Sequence, residues 1–213
     1  MGIAALILGI IGVLAPGFGI LLSIAAVILG ILAVKKKKQK GLGLGGIITG
    51  GVGIVLAPVL AAIAIPSFIQ YQQGAKASET SIQLDQMYYG ARTYMETPRY
   101  GPGGETLPAQ LPPSVDWTPA VPCCQQSGGI GKCDPYSNEA AWQHPTWQAL
   151  EFEVRDPFYY QYRFLNQGNQ VLFQAQGDLD CDGETSLITL RGTIQPDGVL
   201  VRSVGLEKQN ELE

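Results

Sequence analysis

A chain of 213 residues, 46% hydrophobic and only 15% charged, has room for one modest soluble domain together with membrane segments. Its net charge of −4 conceals two unlike halves: residues 1–76 hold six lysines and no acid, whereas residues 77–213 hold eight basic and eighteen acidic residues. The acidic half has no basic stripe, which argues against a nucleic-acid partner, because phosphate contacts need clustered Lys and Arg.

The first 34 residues carry no charge. They lack the basic start of a signal peptide and exceed one straight span of about 20 residues. Ala15-Pro16-Gly17-Phe18-Gly19 places two turn formers near the middle, so helices are expected over 3–15 and 20–34, folded as a transmembrane hairpin within 1–34. An internal repeat supports the pairing, since the ten residues from Ala4 to Val13 align with those from Ala25 to Val34. Lys35-Lys36-Lys37-Lys38-Gln39-Lys40 then makes a basic loop over 35–41. Lysines beside membrane segments stay on the cytoplasmic side, which directs residues 42–65 outward and sets everything after Pro66 outside the cytoplasm.

Leu42 to Ile65 supplies 24 mostly apolar, uncharged residues, enough to cross a hydrocarbon core of roughly 30 Å. Beyond Pro66, Gln70, Gln72, Gln73, Lys76 and Glu79 read as water-facing, while Ala77, Leu84, Tyr88, Ala91 and Met95 form an apolar stripe at helical spacing. One long helix over 42–97 is therefore expected, membrane-crossing in 42–65 and amphipathic in 66–97. Its membrane half carries Gly41, Gly45, Thr49, Gly53, Ala57 and Ala61 every four residues, with Gly46 and Gly50 alongside. Such small-residue spacing lets helix backbones approach closely. The stripe reads either as an interface with the hairpin of the same chain or a neighbouring subunit, or as the glycine enrichment general to membrane helices.

Residues 98–149 read as a Cys- and Pro-rich loop, residues 150–205 as an antiparallel sheet and residues 206–213 as a tail. Strand signals lie at Leu150–Val154, Tyr159–Phe164, Gln170–Gln176, Ser186–Leu190 and Val199–Val204, each bounded by turn formers. Four or five such strands packed on one long helix make an α+β architecture. Cys123, Cys124, Cys133 and Cys181 suit two bridges in an oxidising space. Adjacent Cys123 and Cys124 would close a strained ring, so one is expected to reach Cys133 and the other Cys181. Zinc lacks paired C-x-x-C units, and the single histidine, His144, has no neighbouring acid that would make it a catalytic base.

Asp178-x-Asp180-x-Asp182-Gly183 places three carboxylates on alternate positions of a turn, like the start of a calcium loop, with Thr189 where a closing acid would stand. The plain alternative is an acidic β-turn, with Asp and Gly supplying the turn geometry. Calcium is the one cofactor the sequence admits. Nothing resembling a nucleophile elbow, a phosphate loop or an acid pair in a helix is present, so no catalytic residues and no enzyme are expected.

A resemblance enters at Leu60-Ala61-Ala62-Ile63-Ala64-Ile65-Pro66, followed by Phe68, Tyr71, Ala75 and Ala77. These residues look like the end of the membrane half of a type IV pilin or pseudopilin first helix. Further support comes from Trp147-x-x-Leu150-x-Phe152, Asp156-Pro157-x-Tyr159-Tyr160-x-Tyr162 and Gly177-Asp178-Leu179-Asp180-x-Asp182-Gly183. The first 55 or so residues resemble a small bacterial membrane domain of unknown function. The pilin resemblance implies a structural protein of type IV pilus or type II secretion assemblies, with the lipid bilayer and other pilin-like subunits as partners. It also implies a basic leader cleaved after glycine, an aromatic residue next, and a glutamate soon after. Here the nearest equivalents are Lys35 to Gly41 followed by Leu42, or Gly17-Phe18, and neither is followed by an acid in the apolar segment. The expectation is thus a pilin-like protein retained as a multi-span protein of the bacterial inner membrane. A fibre-forming subunit cleaved near Gly41 is the first alternative. The second is an envelope-anchored binding module using Trp117, Tyr136, Trp142 and Trp147, although covering the helix and sheet edges is the preferred reading of these rings.

Overall fold

The computed structural model describes residues 2–14, 19–36, 40–126 and 131–210. The expected turn at 15–18, three residues of the basic loop at 37–39, and 211–213 of the tail lie outside the described residues. The chain divides into two compact units, Met1–Ile69 and Gln70–Glu213. The fold is α+β: helices at the N-terminus, one long helix, and antiparallel sheet after it.

The first unit holds α1 (Gly2–Leu14), α2 (Gly19–Lys35) and the beginning of α3 (Lys40–Glu96). Its interior is built of small residues: Ala5, Ser23, Ala26 and Ala33 are buried, together with Gly43, Gly46, Gly50 and Gly53. Large side chains such as Ile7, Leu21, Ile28, Ile48 and Val55 are exposed instead. Backbones consequently come very close. A Cβ added at Gly46 would lie 2.8 Å from the Ala5 carbonyl carbon, and one at Gly50 would lie 2.7 Å from the Ser23 carbonyl oxygen. Helix α3 is long and apolar enough to cross a membrane. Its polar interruptions are repaired locally: the hydroxyls of Thr49 and Ser67 donate to the carbonyls of Gly45 and Ile63, each at 2.9 Å. Pro58 and Pro66 both sit within the helix.

In the second unit the remainder of α3 buries Ala77, Thr80, Leu84, Met87, Tyr88, Ala91 and Met95, positions that recur at helical spacing along one face. Two short strands, β1 (Arg99–Tyr100) and β2 (Thr106–Leu107), pair with each other after it. The main sheet contains β3 (Val115–Thr118), β4 (Tyr160–Asn166), β5 (Gln170–Gly177), β6 (Ser186–Ile194) and β7 (Leu200–Arg202) in sequential order, all antiparallel. A further strand, β8 (Glu207–Gln209), pairs with β6 beside β7, so six strands take part. Phe164, Phe173, Ile188, Leu190 and Leu200 supply the sheet's share of the core. The Tyr88 hydroxyl reaches from α3 to donate to the Leu200 carbonyl at 3.0 Å.

Several elements differ from the sequence reading. Leu150–Val154 is not a strand; the edge position beside β4 is taken by β3, from within the stretch read as loop. Leu150, Phe152 and Val154 are buried, so their alternation is real. It serves an extended segment that begins at a left-handed Glu151 (φ 49°) and packs inward without a strand partner. The 98–149 stretch also contains α4 (Pro135–Asn138) and α5 (Pro145–Ala149), and the tail supplies β8.

Gly90 marks the tightest approach to α3, since a Cβ there would stand 1.9 Å from the Leu150 carbonyl oxygen. The obstacle is backbone and cannot swing aside. Gly90→Ala is expected to destabilise the second unit by about 3 kcal/mol, at the upper end for overpacking. A thermal melt showing unchanged stability would mean that the 149–151 turn shifts freely.

Candidate functional site

The described residues concentrate polar chemistry where α3 between Gln73 and Glu79 meets the cysteine-stapled loop and the Asp178–Gly183 turn. Two disulfides fix this region, Cys123–Cys133 and Cys124–Cys181. The adjacent cysteines thus face different partners: one closes the loop on itself and the other ties it to the acidic turn. Cys133 also exchanges two backbone hydrogen bonds with Phe158, at 2.8 and 3.3 Å, which lays the stapled loop beside the entry to β4.

Glu79 points into this layer. One carboxylate oxygen accepts from the Tyr162 hydroxyl at 2.5 Å, and the other accepts from the Tyr159 backbone N–H at 3.2 Å. Two ammonium groups lie near the Tyr159 ring, Lys76 at 5.1 Å and Lys132 at 5.8 Å from its centroid. Lys76 also donates to the Leu179 carbonyl at 2.8 Å, so the acidic turn is held to the same helix. Burial pushes the Glu79 carboxyl up to about 7, although the Tyr162 and Tyr159 hydrogen bonds and the nearby Lys132 charge pull the other way. Burial likewise pushes the Tyr162 hydroxyl well up, and the Glu79 charge adds to it. The sequence reading grouped Glu79 with the water-facing residues. Its position next to Thr80 on the buried stripe, with three tyrosines downstream in DPFYYQY, was the available signal.

The three aspartates converge as expected, with carboxylate oxygens of Asp178, Asp180 and Asp182 all within 4.8 Å of one another. Their hydrogen bonds are those of a turn. Asp178 accepts from the N–H groups of Cys181 at 2.6 Å and Gly183 at 3.0 Å, and Asp182 accepts from the Glu184 N–H at 2.8 Å. Asp180 accepts from Gln73 at 3.4 Å. Positive φ values at Cys181 (63°) and Gly183 (98°) complete the bend. Thr189 is committed to the sheet, its hydroxyl accepting from Gln174 at 2.9 Å, and the Ser186 hydroxyl donates to the Gly177 carbonyl at 3.0 Å. Asp178→Asn is expected to cost about 2 kcal/mol, because two backbone N–H groups share its carboxylate. Asp180→Asn should cost well under about 1 kcal/mol as an exposed contact. Melting curves with and without millimolar calcium check both the ranking and the cation, since binding to the native state would raise the midpoint.

The aromatic residues divide sharply. Trp142 and Trp147 are fully buried; Trp142 meets Phe152 and Phe158 edge-on and Tyr162 at a tilt, while Trp147 packs against Trp142 and Phe152. Trp117 is covered by the Arg163 guanidinium at 4.2 Å from its ring centroid. Tyr136 stands 85% exposed. His144 caps α5, its Nδ1 accepting from the Thr146 N–H at 3.2 Å.

In the first unit, a Cβ at Gly41 would meet nothing within 4 Å, one at Gly45 would reach Leu6, and one at Gly53 would reach Ser23 and Val13. Ala57 and Ala61 are half-buried. The face most fully covered is Gly43, Gly46, Gly50 and Gly53. Comparison with protein-family models, curated proteins and solved structures gives no match to this chain.

Proposed function

We propose that this is a pilin-like structural membrane protein, retained in a bacterial inner membrane by its three N-terminal helical segments and displaying the disulfide-stapled α+β unit outside the cytoplasm. The observation that carries this reading is the occupied glycine face of α3. Residues of α1 and α2 stand within 3 Å of Cβ positions built at Gly43, Gly46, Gly50 and Gly53. The surface on which a pilin-like first helix would pack sideways against other subunits is thereby engaged within the chain. Large apolar side chains on the outside of the same bundle suit a hydrocarbon surrounding, where small residues rather than large ones drive helix contact. The absence of a carboxylate in the apolar part of α3 agrees with retention, since the resemblance implies a glutamate there in a cleaved subunit.

The test is mass spectrometry of the protein extracted from membranes. An N-terminus preceding α1 supports retention. An N-terminus at Leu42 overturns it in favour of the fibre subunit released by cleavage after Gly41. A binding role keeps one specific observation in its favour, the exposed Tyr136 ring on α4 just beyond the stapled loop, as aromatic anchors of interfaces often are. Tyr136→Ala abolishing capture of an envelope partner, with melting unchanged, would decide for it.

A further inference from the structure

The segment from Phe152 to Arg155 is extended yet belongs to no sheet. Just before it, the N–H groups of Leu150 and Glu151, and that of Phe152 itself, donate to the carbonyls of Thr146, Gln148 and Trp147. From Glu153 to Asp156 no main-chain N–H or C=O has a hydrogen-bond partner among the described residues, and pairing resumes at Phe158, on Cys133. About 13 Å of chain therefore carries an unused edge. That edge borders a hollow of about 540 Å³, whose other wall is Gln83 and Gln86 of α3. In that wall the buried side-chain oxygen of Gln83 also lacks a donor among the described residues. A second hollow of about 530 Å³ shares Gln86 and Glu151 with the first and runs on past the exposed Tyr89 ring, so the two make one groove along α3 within the second unit.

Charge selects the occupant. Glu151, Glu153 and Asp156 line the first hollow against a single cation, Arg155, which is paired with Glu153 at 3.1 Å. Glu151 and Asp156 have no ion pair among the described residues. Arg99, in the second hollow, is already held by the Tyr94 ring at 4.2 Å and the Gln110 carbonyl at 2.8 Å. We propose that this groove takes an extended basic peptide of another protein, which adds as a strand along residues 153–156 and sets Lys or Arg against Glu151 and Asp156. A second copy of this chain is unsuited to the place, since residues 77–213 hold eighteen acids against eight bases. The inference concerns the second unit alone and stands independently of how the chain meets a membrane.

The experiment is fluorescence anisotropy of a labelled peptide of about eight alternating Lys and Val residues, titrated with the full chain in an uncharged detergent. Saturable binding is expected below about 1 mM, and a peptide of alternating Glu and Val should not bind. An added strand points the N–H groups of alternate residues at its neighbour. Of two further peptides, N-methylated at every valine or at every lysine, at least one should therefore bind about tenfold more weakly or worse. Glu151→Gln combined with Asp156→Asn should weaken the parent peptide about fivefold. No saturable binding of the Lys-Val peptide overturns the proposal, and so does equal binding of the Glu-Val peptide. Undiminished binding of both N-methylated peptides overturns the strand pairing; because this arm uses the unaltered protein, it is decisive even where the double variant does not fold. Displacement of the Lys-Val peptide by a neutral maltose oligomer overturns it in favour of a glycan groove.

Discussion

Replacing Cys124 and Cys181 together by serine is expected to lower the unfolding free energy of the second unit by about 4 kcal/mol, against about 3 kcal/mol for the Cys123–Cys133 pair. The difference arises from the unfolded chain. The first bridge joins positions 57 residues apart and the second positions only 10 apart, so the longer loop loses more freedom when closed. Urea titration of the full chain in detergent, followed by tryptophan fluorescence, measures both. The longer bridge also anchors the acidic turn, since Asp178 and Cys181 share a hydrogen bond at 2.6 Å. If both pairs cost the same, loop closure is not what the bridges contribute.

Trp147→Ala should be as severe, about 4 kcal/mol, because it empties a large fully buried site and removes a hydrogen bond. Its indole N–H donates to the Thr118 hydroxyl at 2.9 Å, which ties α5 to β3. Trp142 is equally buried, yet its indole nitrogen has no hydrogen-bond partner among the described residues. The paired phenylalanine variants separate packing from polarity. Trp147→Phe loses both, whereas Trp142→Phe also removes an unsatisfied donor, so it should be milder by about 1 kcal/mol. Equal losses in denaturant midpoint would show that the Thr118 bond contributes nothing.

The long helix, β4 to β6 and the pair of cysteine partners were legible because each has a strong local pattern: an uninterrupted apolar run joined to a helical stripe, alternating aromatic strands, and four cysteines of which two are adjacent. Strand β3 was not, since its four residues lie in a proline-rich stretch and gain their place only by pairing with β4. The segment 150–154 misled for the converse reason. Alternating burial there arises from packing into the tryptophan cluster, and periodicity alone does not distinguish that from a strand. The glycine stripe shows a geometric limit. A strict four-residue repeat drifts about 40° around an α-helix at each step, so Gly41 and Ala61 do not share a face. The covered set, Gly43, Gly46, Gly50 and Gly53, steps by three and four and stays on one. Glu79 escaped because a lone carboxylate on a helix normally seeks water, and only distant tyrosines reveal that this one does not.

The two short strands that share β6 have a consequence for solubility. Strand β7 covers residues 192–194 of β6 and β8 covers 187–189, so that side of the sheet ends in two three-residue strands rather than one long strand. The opposite border, β3, has four residues and a break in register. Long straight borders with free N–H and C=O groups are what recruit further chains into amyloid-like stacks, and fragmented or irregular ones do not. Val199, Val201 and Val204 can therefore stand exposed near the β7 border without offering a template on which a second sheet could grow.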